Sequence, residues 1–149
     1  MKQTSSIIGD MNGIGGIIAF LVAWLVSHVL KVIVTWAKKG RMSAGEALGI
    51  AFRSGGMPSG HTADMVALST YMGLWGGFDS AVFALAICVT VIVIYDAMNV
   101  RYAVGEMGKE LNRVAGKKMR VYEGHTIWEV VVGAILGVVV GLSVFLLTG

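Results

Sequence analysis

Residues 81–95 read AVFALAICVTVIVIY, a run of fifteen residues without a single charge. The apolar stretch extends from residue 80 to about residue 100 and is first interrupted by Asp96. About 20 predominantly apolar residues are enough for a helix to cross the hydrocarbon core of a bilayer. We therefore predict a membrane-spanning helix over residues 80–100.

The composition of the whole chain agrees with this interpretation. Of 149 residues, 56% are hydrophobic and only 14% are charged, whereas a soluble domain carries about 25% charged residues. The single Cys88 excludes a disulfide scaffold, and 12 basic against 9 acidic residues give no dense patch for nucleic acid. We predict one all-α integral membrane domain, residues 1–149, with about four spans at 13–36, 59–76, 80–100 and 125–147.

Short helices are expected in two loops between the spans. Ser43 and Glu46 have the spacing of a capping box. Val104, Met107 and Leu111 recur at helical spacing, and Gly116 is a typical stop. We interpret both segments as short helices lying on the membrane surface.

Loop charges predict the orientation of the chain. Basic residues are concentrated in the loops near 38–53 and 101–120, whereas the loop near 77–79 has none. Because basic loops stay on the cytoplasmic side, we expect both termini outside and a location in the cell (inner) membrane.

Ionisable residues inside spans are costly and usually functional. On the predicted topology they all lie near the cytoplasmic face, which indicates one polar cavity. They are Lys31, His61, Asp64, Asp96, Arg101, His125 and Glu129.

The segment GGMPSGH at residues 55–61 is typical of an anion site at a helix start. Glycines let backbone N–H groups approach an anion, and Pro58, the only proline, is well tolerated where a helix begins. The first-turn N–H groups and the helix dipole then favour phosphate.

His125 and Glu129 are one helical turn apart, so the carboxylate can orient the imidazole and make it a better nucleophile. Gly133, Gly137 and Gly141 continue the same face and favour close helix packing, with a homodimer as a further possibility. A purely structural polar pair is the alternative interpretation.

These motifs resemble the type 2 phosphatidic acid phosphatases (PAP2) and vanadium haloperoxidases, and the whole chain is similar to the divergent small branch of that superfamily, the YuiD-like membrane proteins. The resemblance rests on Lys31, Pro58-Ser59-Gly60-His61, Tyr95-Asp96-Ala97-x2-Val100-Arg101 and Gly124-His125-Thr126-x2-Glu129.

The resemblance implies phosphoester hydrolysis through a phosphohistidine, without a metal or other cofactor. His125 corresponds to the nucleophile, His61 to the general acid, and Glu129 to the carboxylate that orients His125. It also implies that Lys31, Ser59 and the Gly60 N–H bind phosphate. The arginine of the usual pattern is absent at its position, and the residues that could replace it are Arg101, Arg120 and Arg53. Asp64 and Asp96 are supporting residues, or simply neutralise Lys31 and Arg101.

We expect the substrate to be a phosphorylated lipid, of the phosphatidylglycerophosphate or phosphatidate type. A polyprenyl (di)phosphate is the alternative substrate. A non-catalytic membrane protein that binds phospholipid or scaffolds a partner is the alternative function, and a transporter is disfavoured by the small number of spans. His28 is expected to have a structural role.

Overall fold

A computed structural model describes residues 5–52, 55–116, 121 and 124–148, with side chains from residue 13 onward in these ranges. All regular structure in these ranges is helical. The elements are α1 (Ser5–Lys39), α2 (Ala44–Ala51), α3 (Gly60–Gly76), α4 (Ala81–Tyr95), a π-turn (Asp96–Val100), α5 (Arg101–Ala115) and α6 (Ile127–Thr148).

Three helical stretches are long and apolar enough to cross a membrane. They are Gly13–Lys39, the continuous run Ala81–Ala115 and Ile127–Thr148. They correspond to the first, third and fourth predicted spans. The predicted span at 59–76 corresponds to α3, which has 17 residues, fewer than the roughly 20 of a typical span. Its crossing of the membrane stays a prediction.

Helix α3 lies in the middle of the bundle and packs against α1, α4 and α6. Helix α3 can carry polar side chains in this position, because its hydroxyl groups form hydrogen bonds inside the protein. Ser69 Oγ and Thr90 Oγ1 of α4 are 2.8 Å apart, and both residues are buried. On α1, a buried row of small residues at a spacing of four faces the bundle: Gly15, Ala19, Ala23 and Ser27.

The glycines of α6 bring that helix into backbone contact with α3. A Cβ added at Gly133, Gly137 or Gly141 would lie 2.6 Å from the carbonyl oxygen of Ser59, Ala63 or Ala67, respectively. Any larger residue would therefore push the two helices apart. The predicted packing role of the three glycines is confirmed.

Helix α2 forms where the sequence predicts a short helix. The helix predicted around residues 104–114 is present as α5, but it continues α4 through the π-turn instead of forming a separate element in a loop. Ser43 and Glu46 make both hydrogen bonds of the capping box at the start of α2. Acceptance of the Ser43 backbone N–H by the Glu46 carboxylate lowers the pKa of that carboxyl. Helix α5 ends at Gly116, which has φ of 61°. The location of α2 and α5 on the membrane surface stays a prediction.

The contact between α3 and α6 predicts a clear difference between two glycine substitutions. Gly137→Ala should lower the free energy of unfolding by roughly 1–3 kcal/mol, the usual cost of overpacking, because its Cβ would contact the Ala63 carbonyl. Gly49→Ala is the matched control, since nothing lies within 4 Å of its Cβ in α2, and it should be neutral or slightly stabilising. Thermal unfolding in detergent, followed by circular dichroism, measures both. Equal stability of the two variants would contradict the packing argument.

Candidate functional site

A polar cavity of about 280 Å³ opens between α1, the end of α2 and the start of α3. It contains cationic, imidazole and carboxylate groups together with two aromatic rings. Its lining residues are Trp24, His28, Lys31, Phe52, Gly60, His61, Asp64, Arg101 and His125. This mixture of groups can hold an anion and exchange protons with it.

The glycine-rich turn before α3 lies beside Lys31, which lines the cavity. Gly55 and Gly56 have φ of 84° and 90°, in the left-handed region that favours glycine. A Cβ at Gly56 would be 3.9 Å from the Lys31 side chain, so the turn passes beside that lysine. Helix α3 begins at Gly60, with Ser59 as N-cap, so Pro58 precedes the cap and does not occupy the first helical position. Gly60 and Lys31 line the same cavity, so the start of α3 and a cation border one space, where an anion is favoured.

Lys31 continues the buried row of small residues on α1. It lies four residues after Ser27 and is itself only 6% exposed. Its ammonium group is close enough to Asp64 and Glu129 to interact with their charges. A buried ammonium group in such surroundings is well suited to binding phosphate, because little water competes for it.

The imidazole of His125 is held by Glu129. His125 Nδ1 and Glu129 Oε2 are 3.0 Å apart, and the His125 side chain is 3% exposed. Because a carboxylate only accepts hydrogen bonds, Nδ1 is the donor when Glu129 is ionised, and the lone pair of Nε2 is free to react. This arrangement is the one that the spacing of four residues predicted.

Glu129 also caps the start of helix α6, a role that was not predicted from the sequence. Its Oε2 also accepts the backbone N–H of Thr126 at 3.1 Å, while Thr126 Oγ1 accepts the Glu129 N–H at 3.4 Å. These two bonds are a capping box at the start of α6. One carboxylate therefore fixes both the helix start and the orientation of His125.

The π-turn positions Arg101 and His125 from the other side. Arg101 donates its backbone N–H to the Asp96 carbonyl, the i→i+5 bond of a π-helix, and its Nε donates to Asp96 Oδ2 at 2.7 Å. The His125 N–H donates to the Ala97 carbonyl at 3.0 Å. Gly124 is required for this approach, because a Cβ there would be 2.5 Å from the Tyr102 nitrogen.

A backbone hydrogen bond joins the two histidine-bearing segments. The Ser59 N–H donates to the Glu129 carbonyl at 3.0 Å. This bond places the start of α3, with His61, beside the start of α6, with His125. Both histidines are also close enough to Lys31 and Arg101 to interact with their charges.

Six of the predicted site residues line the cavity: Lys31, Gly60, His61, Asp64, Arg101 and His125. Glu129 and Asp96 are not part of the lining, but their carboxylates form hydrogen bonds with His125 and Arg101, respectively. Ser59 is placed differently from the expectation: it is fully buried, and its hydroxyl pairs with Thr62 Oγ1 at 2.9 Å. The two other arginines predicted for the clamp, Arg53 and Arg120, lie outside the described residues.

Three residues of the cavity wall were not predicted as site residues. Trp24, His28 and Phe52 form a cluster with ring centroids 4.5–6.2 Å apart. His28 Nδ1 lies 2.7 Å from the Trp24 carbonyl oxygen, which can only accept, so the lone pair of His28 Nε2 is available. A signal for two of them was present, because Trp24, His28 and Lys31 are spaced by four and three residues, on one face of α1.

Comparison with known proteins gives two matches. The model of a family described as the divergent PAP2 family matches residues 15–140. The chain is 27% identical, over 147 residues, to the uncharacterized membrane protein YuiD of Bacillus subtilis (strain 168), an alignment that covers 85% of this chain and 90% of the relative. No solved structure matches the chain.

The double role of Glu129 predicts different stabilities for two substitutions. Glu129→Gln should lower the free energy of unfolding less than Glu129→Ala, because glutamine also completes a capping box and removes only the negative charge near Lys31. Glu129→Ala should lower it by about 1 kcal/mol or more, because the N-terminal cap of α6 is lost. Chemical denaturation in detergent would measure both, and equal destabilisation by the two variants would contradict the capping role.

Proposed function

Since the chain belongs to the divergent PAP2 family, we propose that it is a metal-independent membrane phosphatase that hydrolyses a lipid phosphomonoester through a phosphohistidine intermediate. The proposed substrates are phosphatidylglycerophosphate and phosphatidate. The relative YuiD is itself uncharacterized, so the argument for this activity depends on the chemistry of the cavity.

One observation carries the proposal. His125, oriented by Glu129 at 3.0 Å, lines the same cavity as His61, Lys31 and Arg101. An oriented imidazole can act as a nucleophile and a second imidazole as an acid, while two cations can stabilise the charge on the phosphoryl oxygens.

In the first step, the phosphate binds at the start of α3 between Lys31 and Arg101. The lone pair of His125 Nε2 forms a bond to phosphorus, and the ester P–O bond breaks. His61 gives its proton to the departing oxygen, so that the lipid leaves as a neutral alcohol. Glu129 keeps the Nδ1 proton in place and stabilises the positive charge on the substituted ring.

In the second step, water forms a bond to phosphorus and the P–N bond breaks. His61, which is now neutral, accepts a proton from that water, and inorganic phosphate leaves. His61 is then protonated and His125 has regained its lone pair, so both are in their starting states.

The lipid nature of the substrate is supported by the surroundings of the cavity. Trp24 and Phe52 give one wall an apolar surface, and the helices around it expose large hydrophobic side chains to their environment. An amphiphilic phosphomonoester fits a cavity with a cationic end and an aromatic wall. The loop charges support an inner-membrane location with the cavity facing the cytoplasm.

Replacement of the proposed nucleophile should abolish the reaction. We expect His125→Gln to reduce phosphate release from phosphatidylglycerophosphate or phosphatidate in detergent micelles by at least about 1000-fold, because the covalent route is closed. Ser143→Ala is the matched control on the same helix, since Ser143 is exposed and donates only to the Val139 carbonyl of its own helix. Unchanged release by His125→Gln would refute the phosphohistidine mechanism.

Vanadate binding distinguishes a phosphatase cavity from a non-catalytic scaffold, because vanadate imitates the phosphoryl group in its transition state. We expect binding at micromolar concentrations, weakened at least about tenfold by Lys31→Met, which removes the charge but retains most of the stem. Lys39→Met is the control, because Lys39 is exposed at the end of the same helix and does not line the cavity. Equal binding by the two variants, or none by the unmodified protein, would favour the scaffold function.

A further inference from the structure

Asp64 has an oxygen that no described residue satisfies. The residue is 4% exposed, and its Oδ1 is buried without a hydrogen-bond partner among the described residues. The charge of Lys31 acts on this carboxylate, but Oδ1 itself receives no donor. A buried acceptor left unpaired is unfavourable, and native proteins usually provide a donor from water, an ion or a ligand.

The position of Asp64 indicates which part of a ligand would meet it. It follows His61 by three residues on α3, so both side chains are on one side of the helix, separated by a rise of about 4.5 Å. Both line the cavity. If His61 is the acid for the departing oxygen, Asp64 is next to the leaving group, further from the helix start where the phosphate binds.

A carboxylate is an unsuitable neighbour for the phosphoryl group, because two anions repel each other. It is equally unsuitable for an ester carbonyl, which can only accept hydrogen bonds. Among the polar groups of such a lipid, the one that can satisfy Oδ1 is a hydroxyl, which donates.

We propose that Asp64 Oδ1 accepts a hydrogen bond from a hydroxyl group of the substrate, on the carbon next to the one that carries the phosphate. This inference rests on the proposed function and selects between its two substrates. The leaving group of phosphatidylglycerophosphate has such a hydroxyl. In phosphatidate the corresponding oxygen is acylated, so it has no proton to donate and its carbonyl would face the carboxylate.

The test compares phosphatidylglycerophosphate with its analogue that lacks the headgroup hydroxyl, in the same detergent micelles. For the unmodified protein we expect kcat/KM to be roughly 10- to 100-fold higher for the hydroxylated lipid. Asp64→Ala should remove this preference, and Asp64→Asn, which retains an acceptor oxygen, should keep part of it.

Two controls separate recognition from folding. Ser69→Ala removes a buried hydroxyl on the same helix that pairs with Thr90, away from the cavity lining, and should keep the full preference. The ratio of the two kcat/KM values is insensitive to the fraction of folded protein, so a partly unfolded Asp64 variant still gives a usable result.

A preference that is lost in Asp64→Ala supports the inference. Equal rates on both lipids, or a preference that Asp64→Ala retains, would overturn it and assign Oδ1 to bound water instead, while the proposed function would stand. No phosphate release from either lipid would overturn the proposed function, and the inference with it.

Discussion

The close approach of α6 to α3 brings the two histidines of the cavity together. Without side chains at Gly133, Gly137 and Gly141, the two helices touch through their backbones. At the end of this contact, the Ser59 N–H reaches the Glu129 carbonyl. The histidines of two segments that are far apart in sequence are thereby brought to one cavity, with a geometry that small shifts of either helix would disturb.

Much of this arrangement is encoded locally and can be predicted from the sequence. The apolar runs, the capping box at Ser43 and the pair His125–Glu129 depend only on spacing within one segment. The family relation follows in the same way, because its motifs are short and ordered along the chain. The protein is thus a PAP2-related membrane protein whose helices and most of whose cavity residues are recognisable before the fold is known.

The remaining features depend on contacts between segments, and the sequence contains no local signal for them. The Ser59 backbone lies against α6 because Gly133 has no side chain to keep the two segments apart. Phe52 reaches the cavity wall because α2 folds back along α1 and brings that ring beside His28. The π-turn at Asp96–Val100 lies in a continuous apolar helix without glycine or proline to mark it.

The π-turn at Asp96–Val100 matters more for the geometry of the cavity than for the continuity of the helix. A π-turn holds one residue more than the α-helical turn that it replaces. Loss of a single codon within 96–100 would leave ordinary helix, with α4 and α5 still continuous, but would remove the bond that holds Arg101 and displace the carbonyl that holds His125. A change of one residue in this turn can therefore alter the cavity while the helix that carries it stays continuous.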